Sequence, residues 1–93
     1  MKFEWDPEKE RRNFQKHGVL FSEAATVFAD SLSLIFYDPD HSMEEDRYLV
    51  LGISARGRLI IVSHTDRNDE VRIISARTPT KSERLSYEEG DRF

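Results

Sequence analysis

The sequence predicts an α+β fold in which helices lie mainly on one face of an antiparallel sheet. Two helical patterns come first, and near residue 31 the spacing of apolar residues changes to two. Four strand patterns follow with short connections, which make neighbouring strands antiparallel. A capping-box sequence at Thr80 then begins a last helix. With a length of 93 residues, we expect residues 1–93 to form a single domain.

A short strand and a polar helix begin the chain. Asp6-Pro7 is a typical helix start, because Asp is favoured at the N-cap and Pro at the first helical position. The helix predicted over 7–17 has Phe14 as its only large apolar residue, and Gly18 suits the left-handed residue that ends a helix. We therefore expect a surface helix with a narrow buried stripe.

A second helix is predicted to begin near residue 21, with Ser22 as its cap, and to end near residue 30. Strand patterns follow, and the third of them is apolar on both faces, which indicates a central strand. The last helix is expected to fray from residue 88 onwards. The predicted strands are 32–37, 47–54, 58–65 and 70–77, and the aromatic residues interpreted as core are Phe28, Phe36, Tyr37 and Tyr48.

Charge is distributed unevenly along this acidic chain, whose net charge is −4. Residues 1–46 carry 5 Lys/Arg and 11 Asp/Glu, whereas residues 47–87 carry 8 and 4. Ten of the 14 basic residues are Arg, whose planar fork of donors suits phosphate. The pattern indicates a small anion-binding surface, together with an acidic region that a basic partner could cover.

Several classes of protein are excluded or disfavoured by composition. The absence of cysteine excludes a disulfide scaffold, a thiolate zinc site and a cysteine nucleophile. There is no apolar run typical of a signal peptide or a membrane span, so we expect a cytoplasmic protein without membrane association. The three histidines lack the spacing of metal ligands, and there is no glycine-rich phosphate loop; we expect neither metal nor cofactor.

Several motifs follow one another along nearly the whole chain. They are Trp5-Asp6-Pro7, Lys16-His17-Gly18-Val19, Asp46-Arg47-Tyr48 and Arg72-Ile73-Ile74-Ser75-Ala76-Arg77, followed by Glu83 and Tyr87. This ordered set resembles the BrnT toxin family. The resemblance implies a RelE-like fold, with a short N-terminal strand and two helices, a four-stranded antiparallel meander and a C-terminal helix.

The resemblance also implies a function and partners. BrnT proteins are the toxins of bacterial type II toxin–antitoxin pairs, and they cleave RNA to inhibit translation. The implied partners are the RNA substrate, a BrnA-type antitoxin that neutralises the toxin, and operator DNA contacted only through the antitoxin complex. The implied assembly is a heterotetramer with the antitoxin. We therefore expect a metal-independent endoribonuclease.

Metal-independent RNA cleavage needs a base for the 2′-hydroxyl, cations beside the phosphate oxygens and an acid for the leaving 5′-oxygen. The candidate catalytic residues are His64, for proton transfer, and Arg72 and Arg77, for phosphate. Arg77 is an odd number of residues from Arg72, so it faces the other side of a regular strand. It joins the site only if the strand bends, or if Arg77 lies past the strand's end near Thr78-Pro79.

The turn after the third meander strand decides which residue lies opposite Arg72. A three-residue turn at 67–69 places His64 there, whereas a two-residue turn at 68–69 places Thr65 there. The sequence leaves both alternatives open.

Five further residues are candidate substrate-binding residues: Lys16, His17, Arg58, Lys81 and Tyr87. Each also has a structural interpretation, such as complementing a helix dipole or packing a helix on the sheet. Because only one histidine is well placed, a second function stays open. The chain would then be a non-catalytic binding module, or a degenerate toxin acting within an antitoxin repressor complex.

Overall fold

The structure, a computed structural model, describes residues 1–90. Helix α3 continues to residue 89, so the fraying predicted from residue 88 is wrong there, and residues 91–93 of that segment lie outside the described part. No helix in the described range is long and apolar enough to cross a membrane. The strands are β1 (Lys2–Glu4), β2 (Leu34–Tyr37), β3 (Tyr48–Ile53), β4 (Leu59–Arg67) and β5 (Glu70–Arg77), and the helices are α1 (Pro7–His17), α2 (Phe21–Thr26) and α3 (Lys81–Glu89).

The five strands form one sheet in the order β1-β5-β4-β3-β2. Strands β2 to β5 are an antiparallel meander, as predicted, and β4 is the middle strand. Strand β1 pairs with β5 in parallel, a pairing that the sequence did not indicate. The predicted α+β class is therefore confirmed, and the N-terminal strand becomes part of the same sheet.

Apolar side chains pack on both faces of the sheet. We call the face under α2 the α2 face and the opposite one the α3 face. The core on the α2 face is the larger one and contains Val19, Phe21, Ala24, Val27, Val50, Ile60, Val62, Ile73 and Ala76. The core on the α3 face contains Leu51, Leu59 and Ile61, against which Tyr87 of α3 packs.

Helix α1 attaches to the sheet through a polar side chain. Its buried residue is Asn13, whereas Phe14 is 48% exposed, so the narrow buried stripe is formed by a polar side chain and not by Phe14. The Asn13 amide donates to the carbonyl oxygens of Val19 and Ala76, both at 2.9 Å. The Ala76 N–H donates back to Asn13 Oδ1 at 3.1 Å. Asn13 thus satisfies the main chain of β5 much as a neighbouring strand would.

Most of the helix ends predicted from local sequence are confirmed. Asp6 Oδ1 accepts the Glu8 N–H at 2.8 Å, and Gly18 has a φ of 70°. Thr80 and Glu83 form the predicted capping box.

The start of α2 differs from the prediction. The N-cap residue is Leu20, and Ser22 makes no capping hydrogen bond. Instead, Glu10 of α1 accepts the Phe21 N–H at 2.8 Å. The cap therefore comes from the preceding helix, which sequence reasoning about α2 alone misses.

Candidate active site

One irregularity in the pairing of β4 with β5 determines the geometry of the site. The register steps from Ser63 opposite Ser75 to His64 opposite Ile73. Ile74 is therefore an extra residue in β5, and such a bulge reverses the alternation of side chains beyond it.

The turn between β4 and β5 has two residues, Asn68 and Asp69, with φ values of 48° and 69°. Two successive positive φ angles are typical of the tight turns that suit twisted hairpins. Arg72 consequently lies opposite Thr65 and not opposite His64. The three-residue alternative, in which His64 pairs with Arg72, is not found.

Arg72 and Arg77 both lie on the α3 face. They lie opposite Thr65 and Ile61, respectively, which are an even number of residues apart on β4. Directly opposed side chains share a face, so the two arginines share it as well. The extra residue Ile74 changes the alternation within β5, and this change puts Arg77 on the face of Arg72.

His64 lies on the other face. It is only 4% exposed, and its ring lies between those of Phe28 and Tyr48, at centroid distances of 4.8 and 5.9 Å. Its Nδ1 has no hydrogen-bond partner among residues 1–90. Burial lowers the pKa of His64, since desolvation disfavours the imidazolium. The imidazole of His64 is therefore buried between two aromatic rings and not open to a substrate.

A cavity of about 330 Å³ opens on the α3 face, beside the bulge. It is lined by Asp38, His41, Arg47, Leu49, Ser63, Ile74, Ser75 and Arg77. Cations and hydroxyl groups around a concave surface suit a phosphate ester.

His41 is the histidine of this cavity, and it is not among the residues that the sequence motifs indicated. It lies in the short 3₁₀ turn Pro39–His41, and its Nδ1 is 2.9 Å from Asp38 Oδ2. A carboxylate that accepts the Nδ1 proton leaves Nε2 as the basic nitrogen. The available indication was the Asp-Pro-Asp-His sequence, which favours a turn with Asp38 and His41 three residues apart.

Carboxylates hold the arginines in place. Arg77 donates two hydrogen bonds to Glu83, at 2.8 and 3.0 Å, which raise the pKa of Arg77 and lower that of Glu83. Arg72 lies 3.5 Å from a carboxylate oxygen of Glu4. Both side chains are partly exposed, and the pairs fix their orientation on the α3 face, where Arg77 lines the cavity.

Glu45 forms an ion pair with Arg67 and also feels the charges of Arg47 and Arg72. Its hydrogen bonds from Arg67 lower its pKa, and the charges of Arg67, Arg47 and Arg72 lower it further. These three guanidinium groups therefore lie close enough to Glu45 to influence it electrostatically. A phosphate near this place would meet several positive charges.

A second groove, of about 230 Å³, lies on the other side of the bulge. It shares Ile74 and Ser75 with the cavity, so the two depressions are adjacent. Its charged lining residues are all basic, which indicates a place for a further phosphate. The lining is completed by Lys9, Arg12, Asn13, Lys16 and His17, so the structure brings the predicted residues Lys16 and His17 close to the arginine cavity.

The other candidate substrate-binding residues lie apart from these two depressions. Arg58 is 2.5 Å from Glu23 and donates to the Gly18 carbonyl at 3.1 Å. The Tyr87 hydroxyl donates to Asp30 at 2.6 Å, which raises the pKa of Tyr87 to about 12. Both therefore have structural partners.

Lys81 is exposed in the first turn of α3 and lines neither of the two depressions. The described residues contain no group of three or more His, Asp and Glu side chains that could hold a metal ion. The substrate-binding roles of Arg58, Lys81 and Tyr87 stay predictions.

The fold and the site define a small α+β protein with a cationic, histidine-containing cavity on one face of its sheet. A family model described as the ribonuclease toxin, BrnT, of type II toxin–antitoxin systems matches residues 5–83. The chain belongs to this family. It is thus a member of a family of ribonuclease toxins, and a type II system implies an antitoxin as its partner.

A solved structure supports the fold. The chain is similar to the crystal structure of the Brucella abortus ribonuclease toxin BrnT, with a TM-score of 0.63 and 23% sequence identity. The match covers 87% of this chain and 99% of that one. At this identity the likeness shows a shared fold. A search of curated proteins finds no match.

Proposed function

We propose that this chain is a metal-independent endoribonuclease toxin that cleaves RNA in the cytoplasm and thereby inhibits translation. A BrnA-type antitoxin neutralises it in a heterotetramer, which contacts operator DNA only through the antitoxin. One observation carries the catalytic part of the proposal. The bulge at Ile74 puts Arg72 on the same face as Arg77, and Arg77 lines a cavity that contains His41.

The proposed reaction begins with the scissile phosphate in the cavity. Arg77 and Arg72 stabilise the charge that gathers on its non-bridging oxygens. His41 Nε2 removes the proton of the adjacent 2′-hydroxyl, and Asp38 stabilises the resulting imidazolium. The 2′-oxygen bonds to phosphorus and the bond to the 5′-oxygen breaks. The products are a 2′,3′-cyclic phosphate and a 5′-hydroxyl.

The second groove extends the substrate path. Lys16 binds the phosphate next to the scissile one, and His17 supplies the proton that the leaving 5′-oxygen takes. The proximity of the two depressions, which meet at Ile74 and Ser75, supports this assignment. A surface that binds successive phosphates of the RNA backbone needs several basic residues, and these contacts do not depend on the RNA sequence.

The position of His64 does not favour its predicted role in proton transfer. Its ring is buried on the α2 face, whereas the arginines lie on the α3 face. We assign proton transfer to His41 instead and give His64 a place in the core. Separate substitutions of the two histidines distinguish the assignments.

The ion pairs of the arginines favour the second candidate function. Arg77 with Glu83, and Arg72 with Glu4, already have anionic partners. A protein that only binds RNA or a regulatory partner through this face can keep these ion pairs, whereas stabilising a transition state needs guanidinium donors that reach the phosphate oxygens. In that case RNA is retarded in a gel but stays intact.

The decisive experiment is RNA cleavage by the purified chain, freed of any antitoxin, in excess EDTA. Arg77→Ala is compared with Arg84→Ala, a matched control in an exposed position on α3. We expect the parent and the control to cleave RNA, and Arg77→Ala to be slower by about 10²–10³-fold, the loss typical of a donor at the developing charge. Intact RNA with the folded parent, in buffer and in a translation extract, would contradict the proposal.

A further inference from the structure

Strand β2 is the last strand on its side of the sheet within residues 1–90. The Asp38 N–H donates to the Arg47 carbonyl at 2.9 Å, which fixes the hydrogen-bonded positions of the β2–β3 pair. Such positions alternate in antiparallel pairs. Ile35 and Tyr37 therefore direct their main-chain N–H and C=O groups away from β3. We call this row of groups the outer β2 edge.

The side chains along the outer β2 edge are apolar and exposed. The exposed fraction is 64% for Ile35, 52% for Tyr37 and 63% for Leu32, just before the strand. The interpretation of Tyr37 as core is therefore wrong. Helices α1 and α2 pack on β4 and β5, towards the opposite edge of the sheet from β2, and leave Tyr37 uncovered. Natural edge strands are usually protected by lysine, proline or a bulge, and residues 34–37 contain neither Lys nor Pro. An edge of this kind indicates a surface that another chain covers.

The segment around β2 is strongly acidic. Residues 30–46 contain six Asp/Glu and no Lys or Arg. Asp46 accepts a hydrogen bond from the Tyr37 hydroxyl at 3.1 Å, so one carboxylate lies directly beside the exposed ring. A second copy of this chain would bring the same carboxylates to the contact and be repelled. The charge therefore favours a basic partner.

We propose that the antitoxin docks on the outer β2 edge by adding one strand to the sheet. The added strand would place apolar side chains over Ile35 and Tyr37 and Lys or Arg side chains near the carboxylates of residues 30–46. Main-chain hydrogen bonds give such strand addition its affinity, and alternate side chains give it specificity. The inference rests on the antitoxin partner of the proposed function and is independent of RNA cleavage.

Amide hydrogen exchange, resolved by residue, tests the strand addition. The probe is the purified complex of this chain with its antitoxin, compared with the chain alone. We expect the Ile35 and Tyr37 amides to exchange at least about tenfold more slowly in the complex. The amide of Leu34, whose position pairs it with β3, is the internal control and changes little. Unchanged exchange at Ile35 and Tyr37 in the complex would overturn the proposal.

A pair of variants tests the location by affinity. Ile35→Lys places a positive charge on the proposed edge, and Phe14→Lys makes the same change at an apolar residue of α1 that is 48% exposed. We expect Ile35→Lys to weaken antitoxin binding by about tenfold or more, and Phe14→Lys to change it by less than about twofold. Both variants should melt like the parent.

Three results would contradict the docking site. The first is that Ile35→Lys binds the antitoxin as tightly as the parent does. The second is that only Phe14→Lys loses affinity. The third is that the toxin alone forms a dimer which Ile35→Lys dissociates. RNA cleavage by Ile35→Lys is measured in parallel, because Ile35 does not line the cavity. A docking defect with unchanged cleavage supports the inference, and absence of cleavage in the parent affects only the catalytic proposal.

Discussion

Arg72 and Arg77 lie on the same face of β5 although an odd number of residues separates them, because Ile74 is an extra residue between them. Without that residue, one guanidinium would lie among the apolar side chains of the α2 face. With it, both point to the face that holds His41 and the cavity. A local irregularity of one residue thus brings together the groups on which the proposed chemistry depends.

The first prediction concerns His41. His41→Ala should slow RNA cleavage by about 10²–10⁴-fold, since the 2′-hydroxyl loses its base. Asp38→Asn should slow it as well, because the amide no longer stabilises the imidazolium. Cleavage rates on a short labelled RNA measure both effects. His64→Phe is the matched control and should cleave like the parent if it folds; the opposite pattern would return the proton-transfer role to His64.

The second prediction concerns stability and pH. His64 is buried and its folded-state pKa is lowered. Below about pH 6.5, His64 therefore binds a proton in the unfolded chain but stays neutral in the folded chain. The free energy of unfolding should therefore have its full value above that pH. It should decrease as the pH falls from about 6.5 towards the folded-state pKa of His64. Urea unfolding at about pH 5 and about pH 7.5 measures the difference. His64→Phe should show a smaller difference, and an equal one would show that other groups cause it.

The third prediction concerns the attachment of α1. Asn13→Ala removes the partners of the Ala76 main chain and of the Val19 carbonyl in a buried place. We expect a loss of about 2–3 kcal/mol in the free energy of unfolding. Gln15→Ala, an exposed position in the same helix, should stay within about 0.5 kcal/mol of the parent. Similar urea midpoints for both variants would disprove the role of Asn13.

The fourth prediction concerns the buried carboxylate of Glu23. Hydrogen bonds from Arg58 lower its pKa against the opposing effect of burial, and Ser54 donates a further hydrogen bond at 2.7 Å. Because the Arg58 side chain is 38% exposed, we expect Glu23→Gln to cost only about 1–2 kcal/mol at neutral pH. A carboxylate with a lowered pKa stabilises the fold above its unfolded-state pKa, and this contribution is lost as the pH falls through the folded-state value. The difference between parent and variant in urea should therefore shrink in acid, and a constant difference would contradict the ion-pair explanation.

Sequence patterns predicted the elements of this fold well. The change of apolar spacing near residue 31 predicted the meander, and the residues Asp6, Gly18 and Thr80 predicted helix ends that the structure has. The errors arose where a distant residue intervened. Glu10 replaces Ser22 as the source of the α2 cap, because the two helices meet. That residues 1–93 form one domain stays a prediction.

The candidate site was predicted only in part. Arg72, Arg77, Lys16 and His17 came from the sequence motifs. The structure brings Arg77, Lys16 and His17 to two adjacent depressions and places Arg72 on the same sheet face as Arg77. His41 was missed because nothing in its neighbourhood shows that the turn after β2 lies beside the end of β5.

The sequence by itself determined the elements, most of the helix ends and the family resemblance, because these depend on short patterns of residues along the chain. Only the tertiary structure decided which side of the sheet each functional residue faces. That choice depends on the β4–β5 register and its bulge, and a change of one residue moves a side chain to the opposite face. The alternation of apolar and polar residues breaks at Ile73-Ile74, but only the pairing with β4 shows that Ile74 is the extra residue.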